Sequence, residues 1–370
     1  MADMNKPLFD LDQPGMQAEV NSYKPGTGLA WAQLFPLKYT PKFDLKGIEG
    51  DEGIPVSADR VAFNTKAPLK TRKTVGSWSG KLGKISISRD KDELQINEYN
   101  DLKIISAANT EDKATAQYLV DLVYNDIEAC KNGMDYRVEI DALRIGSAGK
   151  AVYSAAIDGE MATADEINFN IPSDNFVGVT TAWATAATAD GIADIAKQQK
   201  AIQKKGLKKP MYAIMADSAF ELLLAQEKTL KRVATVVVNA VGLTASEVLS
   251  IENVNAYMRR KGYPQILKLD SYVTIEDKDG KQTTVQPWNE KAVVLAPTPQ
   301  LGWTYYKPVP MVQNTDAAQV QGPYYKVTVY STLNPMTEMT MAEAYVQPGL
   351  INRASLVYMN VTQTTWNEGA

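Results

Sequence analysis

The chain has 370 residues and contains no histidine, which narrows the chemistry open to it. Histidine is the usual general base of hydrolytic triads and the commonest side-chain ligand of transition metals. Its absence excludes Ser-His-Asp and Cys-His arrangements, whereas catalysis by carboxylate, lysine or tyrosine stays open. We therefore expect a protein that is not an enzyme and that has neither a cofactor nor a catalytic metal.

Cysteine and long hydrophobic runs are also scarce. Cys130 is the single cysteine, so an internal disulfide and a cysteine cage for a metal ion are both excluded. One free thiol fits a reducing cytoplasm. No run approaches the roughly 18 apolar residues of a membrane span. The first residues lack a basic region followed by an apolar stretch, so we expect no targeting segment and no membrane contact.

One basic segment stands out from a chain whose formal net charge is −4. Residues 61–89 contain Lys and Arg but neither Asp nor Glu. Ile85 and Ile87 alternate with polar residues there, which predicts β-strands. A two-stranded hairpin alone is marginal in water, so we expect this segment to rest on other protein. The alternative is a solvated hairpin edge that lysines protect from pairing.

A long helix is predicted from residue 111 to residue 144. Its apolar positions recur every three or four residues, as one helix face requires: Leu119, Val123, Ile127, Cys130, Met134, Val138, Ala142 and Ile145. Gly133 lies inside the helix and suggests a bend. Gly146 and Gly149 are expected to end it. Cys130 falls on the apolar stripe, which favours a small core residue over a nucleophile.

The rest of the chain predicts an α+β protein. Residues 1–45 are rich in proline and aromatic residues, which favours an extended arm docked on its own body or on a neighbour, with only residues 29–34 briefly helical. Further helices are predicted near Asp190–Lys205, Ser218–Lys231 and Ser246–Arg260. Further strands are predicted at Pro210–Met215, Gln265–Ile275, Gln282–Val285, Ala292–Ala296, Tyr324–Thr332, Glu338–Val346 and Ser355–Val361.

Two short motifs have competing interpretations. Ser147 and Lys150 match the Ser-x-x-Lys of penicillin-binding enzymes, but here the motif closes a helix, whereas in those enzymes it opens one. A serine hydrolase is therefore only a remote alternative. The basic cluster Lys204–Lys209 could meet phosphate. A solvated helix end, where lysines stabilise the C-terminal dipole, is the favoured interpretation.

Short strings recur in order along the chain: Ile167-Asn168-Phe169, Trp183, Lys209–Met215, Phe220–Leu223, Tyr272-Val273, Val293–Pro297 and Leu301-Gly302. Together with the order of arm, β extension, long helix, α/β domain and returning strands, they resemble the tailed-phage major capsid fold of the Hong Kong 97 type. The strings are most similar to the lambda major capsid protein E family. The resemblance covers most of residues 50–360.

The resemblance implies a division into an N-terminal arm, an extended β loop, a peripheral domain with a spine helix, and a mixed α/β axial domain. These parts correspond to residues 1–45, 46–100, 101–149 with 311–370, and 150–310.

It also implies a function. The chain would be a structural subunit that self-assembles into hexamers and pentamers of an icosahedral phage head around double-stranded DNA. The family implies scaffolding and portal partners, a cement protein as a further candidate, non-specific DNA contact, and assembly in the host cytoplasm before residence in the virion capsid. A bacterial nanocompartment shell, which is encapsulin-like, resembles the same fold and is the alternative.

Candidate inter-subunit contacts come from the extended loop and from the acidic face of the spine helix. They are Arg60, Lys66, Lys70, Arg72, Lys73, Trp78, Lys81, Lys84, Asp121 and Glu128. Opposite charges across such a contact would set its register more than its affinity.

Overall fold

The computed structural model describes residues 6–9, 13–46, 57–60, 63, 78–108, 113–154, 158, 165–236, 249–276, 279–313 and 315–366. The α-helices are α1 Gln13–Ser22, α2 Trp31–Leu34, α3 Glu93–Ala108, α4 Lys113–Ala148, α5 Gly191–Lys204, α6 Asp217–Leu224, α7 Glu227–Val233 and α8 Ile251–Lys261.

The strands of the first half are β1 Leu37–Tyr39, β2 Asp44–Lys46, β3 Ser79–Lys81, β4 Gly83–Lys91, β5 Lys150–Tyr153, β6 Asp165–Asn168, β7 Phe176–Gly178 and β8 Tyr212–Ala216. Those of the second half are β9 Gln265–Leu269, β10 Val273–Glu276, β11 Gln282–Val285, β12 Ala292–Ala296, β13 Gly302–Lys307, β14 Ala318–Gln321, β15 Tyr325–Leu333, β16 Met336–Leu350 and β17 Val357–Asn360. This mixture of helices and sheets confirms the predicted α+β class.

The larger sheet is organised around β16, which is 15 residues long. The strand order is β1-β13-β16-β15-β14, and β4 pairs antiparallel with β16 as well. Tyr345 and Val346 pair with both β13 and β4, so these two strands lie on opposite sides of β16. β4 therefore lies at an edge of the sheet, and β16 is its partner among the described strands.

Helix α4 packs along the larger sheet through the predicted apolar stripe. Ile127, Cys130, Met134 and Val138 are each at most 1% exposed, which confirms the stripe as core. The helix continues without interruption through Gly133. A Cβ at Gly133 would lie 2.5 Å from Ile87 Cδ1, so the glycine admits strand β4 against the helix, and no bend is needed to explain it.

The end of α4 follows from backbone geometry. Gly146 lies inside the helix, in contrast to the predicted end there, and the helix continues to Ala148. Gly149 adopts the left-handed conformation with φ of 73°. Its amide donates to Ile145 O at 2.9 Å, which closes the last turn as expected for a glycine at this position.

The smaller sheet has the order β7-β17-β12-β8-β9 and a hydrophobic core of its own. Every residue of β12 is buried, which fits a central strand with both faces covered. Helix α5 contributes Ile192, Ile195 and Ile202 to this core, and α8 contributes Val254 and Met258.

The two sheets do not divide at residues 310 and 311, which is the boundary predicted between the axial domain and the returning part of the peripheral domain. Strand β13 precedes the boundary yet pairs with β1 and β16 in the larger sheet. Strand β17 follows it yet pairs with β7 and β12 in the smaller sheet. Chain order alone cannot reveal these crossings, because each pairing joins segments that are distant in sequence.

The N-terminal segment is more structured than an extended arm, and its described part docks on its own subunit. Trp31, Leu34 and Phe35 are each at most 1% exposed. Two acidic side chains of α4 fasten the segment: Glu139 accepts hydrogen bonds from the amides of Ala30 at 3.1 Å and Trp31 at 2.7 Å, and Asp135 accepts from Gly26 N at 3.0 Å.

Several predicted elements differ in extent from the observed ones. Residues 93–100, which fall in the predicted β loop, belong to helix α3. The predicted helix Ser218–Lys231 is divided into α6 and α7, and the predicted strand Gln265–Ile275 into β9 and β10. The predicted strands Gln282–Val285 and Ala292–Ala296 match β11 and β12. Among the described helices, none has the length and hydropathy needed to cross a membrane.

Candidate inter-subunit surface

The basic segment is held on its own subunit from residue 78 onward, where the described residues resume. Strand β3 pairs antiparallel with β2, and the Leu82 amide donates to Phe43 O at 2.9 Å between β3 and β4. Strand β4 then runs along β16 for its full length. Four of the candidate contacts lie outside the described residues and stay predictions: Lys66, Lys70, Arg72 and Lys73.

Trp78 lies inside its own subunit. Its side chain is 5% exposed. The indole packs edge-on against Phe169, with ring centroids 4.9 Å apart, and lies 6.3 Å from the ring of Tyr305. Gly349 gives room for it, since a Cβ there would lie 3.0 Å from the indole. This burial makes Trp78 an anchor for the segment, and it leaves little of the ring available to a neighbouring subunit.

The other described cationic candidates lie at the surface. Arg60 is exposed, and Lys81 is exposed on β3 opposite Asp44. Lys84 forms an ion pair with Glu343 of β16, and its side chain is 54% exposed. The hydrogen bond with Glu343 raises the pKa of Lys84 above its ordinary value. Part of the positive charge on β4 is therefore neutralised within the subunit.

The two acidic candidates occupy the exposed face of α4. Asp121 accepts a hydrogen bond from Gln117 Nε2 at 2.8 Å, and Glu128 is exposed as well. Residues seven positions apart lie on nearly the same side of a helix, so both carboxylates point into one surface strip. Asp126, in contrast, is engaged within the subunit, because its carboxylate lies 2.5 Å from Lys91 Nζ.

Large apolar side chains are exposed on α3 and near the start of α4, a feature that was not predicted from the sequence. On α3, Leu94, Ile104 and Ile105 are 77%, 68% and 53% exposed. Near the start of α4, Tyr118 and Val120 are 47% and 50% exposed. Helices α3 and α4 contact each other, and large apolar side chains exposed on such a pair offer candidate area for a protein–protein contact. The sequence does contain a signal for this surface: α3 has more apolar residues than the two that it buries, Ile96 and Tyr99.

A buried ionic cluster holds the segment after α4 against that helix. Arg137 donates to Asp141 at 2.6 Å and to Asp158 at 2.7 Å, and Arg144 donates to Asp158 at 2.5 Å. Burial raises the pKa of Asp141 to about 6. Burial also acts to raise the pKa of Asp158, but hydrogen bonds from Arg137 and the Ser154 amide lower it overall. Two arginines and two aspartates balance in charge, as expected of a structural cluster.

The residues that suggested nucleophilic chemistry have structural roles. Ser147 Oγ donates to Leu143 O at 2.9 Å and accepts from Asn289 N at 3.1 Å, so it ties the helix end to a loop. Lys150 Nζ lies 3.7 Å from Glu166. Burial raises the pKa of Cys130 to about 11, which keeps the thiol protonated and unreactive.

The fold and these side chains define a class of protein: an α+β subunit with a basic segment anchored at Trp78, and with side chains in structural roles where the sequence suggested nucleophiles. A family model described as phage major capsid protein E matches residues 21–357. The chain belongs to this family. It is accordingly a structural subunit of a phage head, resident in the virion capsid, where copies of it self-assemble into the shell.

Solved structures agree with this fold. The chain is similar to a putative capsid protein of a prophage from Escherichia coli CFT073, with a TM-score of 0.57 and 15% identity over 95% of this chain and 99% of that one. It is also similar to a phage-related protein from Bordetella bronchiseptica RB50, with a TM-score of 0.55 and 13% identity over 94% of this chain and 97% of that one. A search of curated proteins gave no significant match.

These comparisons confirm the resemblance to capsid proteins of the Hong Kong 97 type, and they do not favour the nanocompartment alternative.

Proposed function

We propose that the chain forms hexamers and pentamers of an icosahedral head around double-stranded DNA, and that its extended loop crosses onto an adjacent subunit. The anchored base of the loop carries this proposal. Trp78 is buried in its own subunit, whereas the preceding residues 61–77 contain basic residues and no acidic ones. A segment that is held firmly at one end and carries charge of one sign suits a contact with an acidic surface.

The proposed acceptor is the exposed region of α3 and α4 on the neighbouring copy. Asp121 and Glu128 supply negative charge there, and Leu94, Ile104 and Ile105 supply apolar area. Charge on the rim and apolar area at the centre is the usual composition of a protein interface. Each copy would present both the loop and its acceptor, so the contact is heterologous and repeats around a ring.

Other parts of the proposal concern partners and place. A scaffolding protein and a portal protein would guide assembly in the host cytoplasm, and a cement protein is a further candidate. The packaged DNA would be contacted without sequence specificity. The role is structural and requires no catalysis, which agrees with the backbone ties of Ser147 and the buried thiol of Cys130.

Replacing residues 64–76 with a short Gly-Ser linker tests the loop. The replacement keeps Trp78, β3 and β4, so we expect a folded subunit with a melting temperature close to that of the wild type. Electron microscopy should then find no closed shells. Closed shells of normal size from this variant would contradict the proposal.

A charge-matched pair of variants distinguishes the effect of the loop cations from the effect of total net charge. The first changes Lys66, Lys70, Arg72 and Lys73 to Gln. The control changes Lys24, Lys228, Lys281 and Lys291 to Gln and lowers the net charge equally. We expect slower shell closure for the first and near-normal closure for the control. Equal effects would show that total charge matters and the loop does not.

A further inference from the structure

A basic groove lies in the half of the molecule built on the smaller sheet, on a different part of the chain from the loop. Helices α5, α7 and α8 enclose a cavity of about 580 Å³. Its cationic lining residues are Lys197, Lys200, Lys204, Arg232 and Lys261. Ala193, Ala196 and Ala201 form a small-residue floor along α5. No acidic side chain is among the described residues that line it.

Most of this positive charge is unopposed within the subunit. Asp190 binds Arg232 through two hydrogen bonds of 2.6 Å and so neutralises one of the five cations. Within the described part of the chain, none of the four lysines forms an ion pair with a carboxylate, and all four are exposed. The whole chain carries a net charge of −4, so this groove is a local reversal of sign.

The adjoining basic cluster Lys204–Lys209 divides into two kinds of lysine. Lys205 Nζ donates to Asn175 Oδ1 at 3.0 Å, and Lys208 Nζ donates to Asn352 Oδ1 at 3.3 Å. These two side chains therefore have partners in their own subunit. Lys204 lines the groove. The phosphate contact that the sequence left open for this cluster is therefore expected of Lys204, on the side that faces the groove.

The spacing of the groove lysines fits a polyanion. Lys197, Lys200 and Lys204 occupy positions i, i+3 and i+7 of α5, so they share one face and span roughly 10 Å along the axis. Double-stranded DNA carries about one charge per 1.7 Å of its axis, or roughly six charges over that length. A single strand of the duplex contributes about half of these charges, or roughly three, and the three α5 lysines match that number. Tyr257 and Tyr263 complete the lining. The four unpaired lysines, with no acidic side chain among the described lining residues, favour a polyanion over a protein surface of mixed charge.

We propose that this groove binds the phosphodiester backbone of double-stranded DNA without reading its sequence. The proposal rests on the proposed function, since it requires the head to enclose DNA, and it assigns the face of α5, α7 and α8 to the interior of the shell. Lysine ammonium groups would each contact a phosphate and release a condensed counterion. The small floor would let the sugar-phosphate strand approach the helix closely.

The test measures binding of a fluorescent duplex of about 30 base pairs to the purified, dispersed subunit over a range of salt concentrations. One variant changes Lys197, Lys200 and Lys204 to Gln. The matched control changes Lys24, Lys281 and Lys291 to Gln, which lowers the net charge by the same amount. All six side chains are exposed, so both variants should melt like the wild type.

Loss of three phosphate contacts should lower the slope of log K against log salt by about 2.7, at roughly 0.9 per contact. At about 0.1 M salt this corresponds to a loss of affinity on the order of 100-fold or more. The control should stay within about threefold of the wild type, and duplexes of unrelated sequence should bind equally. Equal weakening of the two variants would overturn the proposal, because it would assign the effect to total charge.

An acidic peptide is the competing ligand. Residues 46–56 of the chain itself provide one, since they contain Glu49, Asp51 and Glu52. Binding of this peptide that depends on the groove lysines, together with no binding of duplex, would overturn the proposal in favour of a contact between copies. DNA binding by the dispersed subunit and shell closure by the loop variant are separate measurements, so failure of the groove and failure of the proposed assembly are told apart.

Discussion

Replacing Trp78 with Ala separates two roles for the base of the extended loop. The sequence suggested a contact with a neighbour, whereas the structure buries the indole in its own subunit, 5% exposed. Truncating a buried tryptophan costs about 3–5 kcal/mol, from lost apolar burial and from the cavity that remains. The rings of Phe169, at 4.9 Å, and Tyr305, at 6.3 Å, are themselves buried, so they would have to leave their own packing to fill that cavity.

Thermal unfolding of the dispersed subunit measures this cost. At about 2–4 °C per kcal/mol for large domains, the melting temperature should fall by roughly 6–20 °C. Trp78→Phe keeps a ring against Phe169 and should lose less than half as much. If Trp78→Ala melts like the wild type but fails to form shells, the indole acts between subunits and the structural interpretation is wrong.

Two further predictions concern helix α4. Ile127→Ala should lower the free energy of unfolding by about 2–5 kcal/mol, and Leu119→Ala by clearly less, because Ile127 is fully buried and Leu119 only partly; equal losses in denaturant titrations would contradict this difference in packing. The pKa of Asp141 rises from its ordinary value of 3.8 to about 6 in the folded state, so its stabilising effect is complete below about pH 3.8 and is lost as pH rises through about 6. Relative to Asp141→Asn, the wild type should therefore lose melting temperature between about pH 4 and pH 7, and a gain over this range would refute the assignment.

The long helix could be predicted because its stripe is both periodic and buried. The other two N-terminal helices of more than one turn could not. In α3, only Ile96 and Tyr99 are buried while several apolar residues are exposed, so no stripe is visible in the sequence. In α1, Pro14 looked like a breaker. It lies in the first turn, where the backbone amides have no intrahelical acceptors and proline is tolerated.

The pairing of strands that are distant in the chain was the second feature that could not be predicted from the sequence. The strand at β17 was predicted, but its partners were not, since it runs parallel to Phe176–Gly178, which is far away in the chain. The burial of Trp78 could not be predicted for the same reason, because its ring partners Phe169 and Tyr305 come from two other segments. The basic character of the loop could be recognised, because composition is local. The burial of its anchor could not, because packing joins distant residues.

The central claim is that copies of this chain build a shell in which each loop lies on its neighbour. Electron cryo-microscopy of assembled particles tests it most directly, at a resolution that traces residues 64–76. The account predicts density for this segment across the α3 and α4 surface of the adjacent subunit, near Asp121 and Glu128. A loop folded back onto its own subunit, with no neighbour in contact, would contradict it.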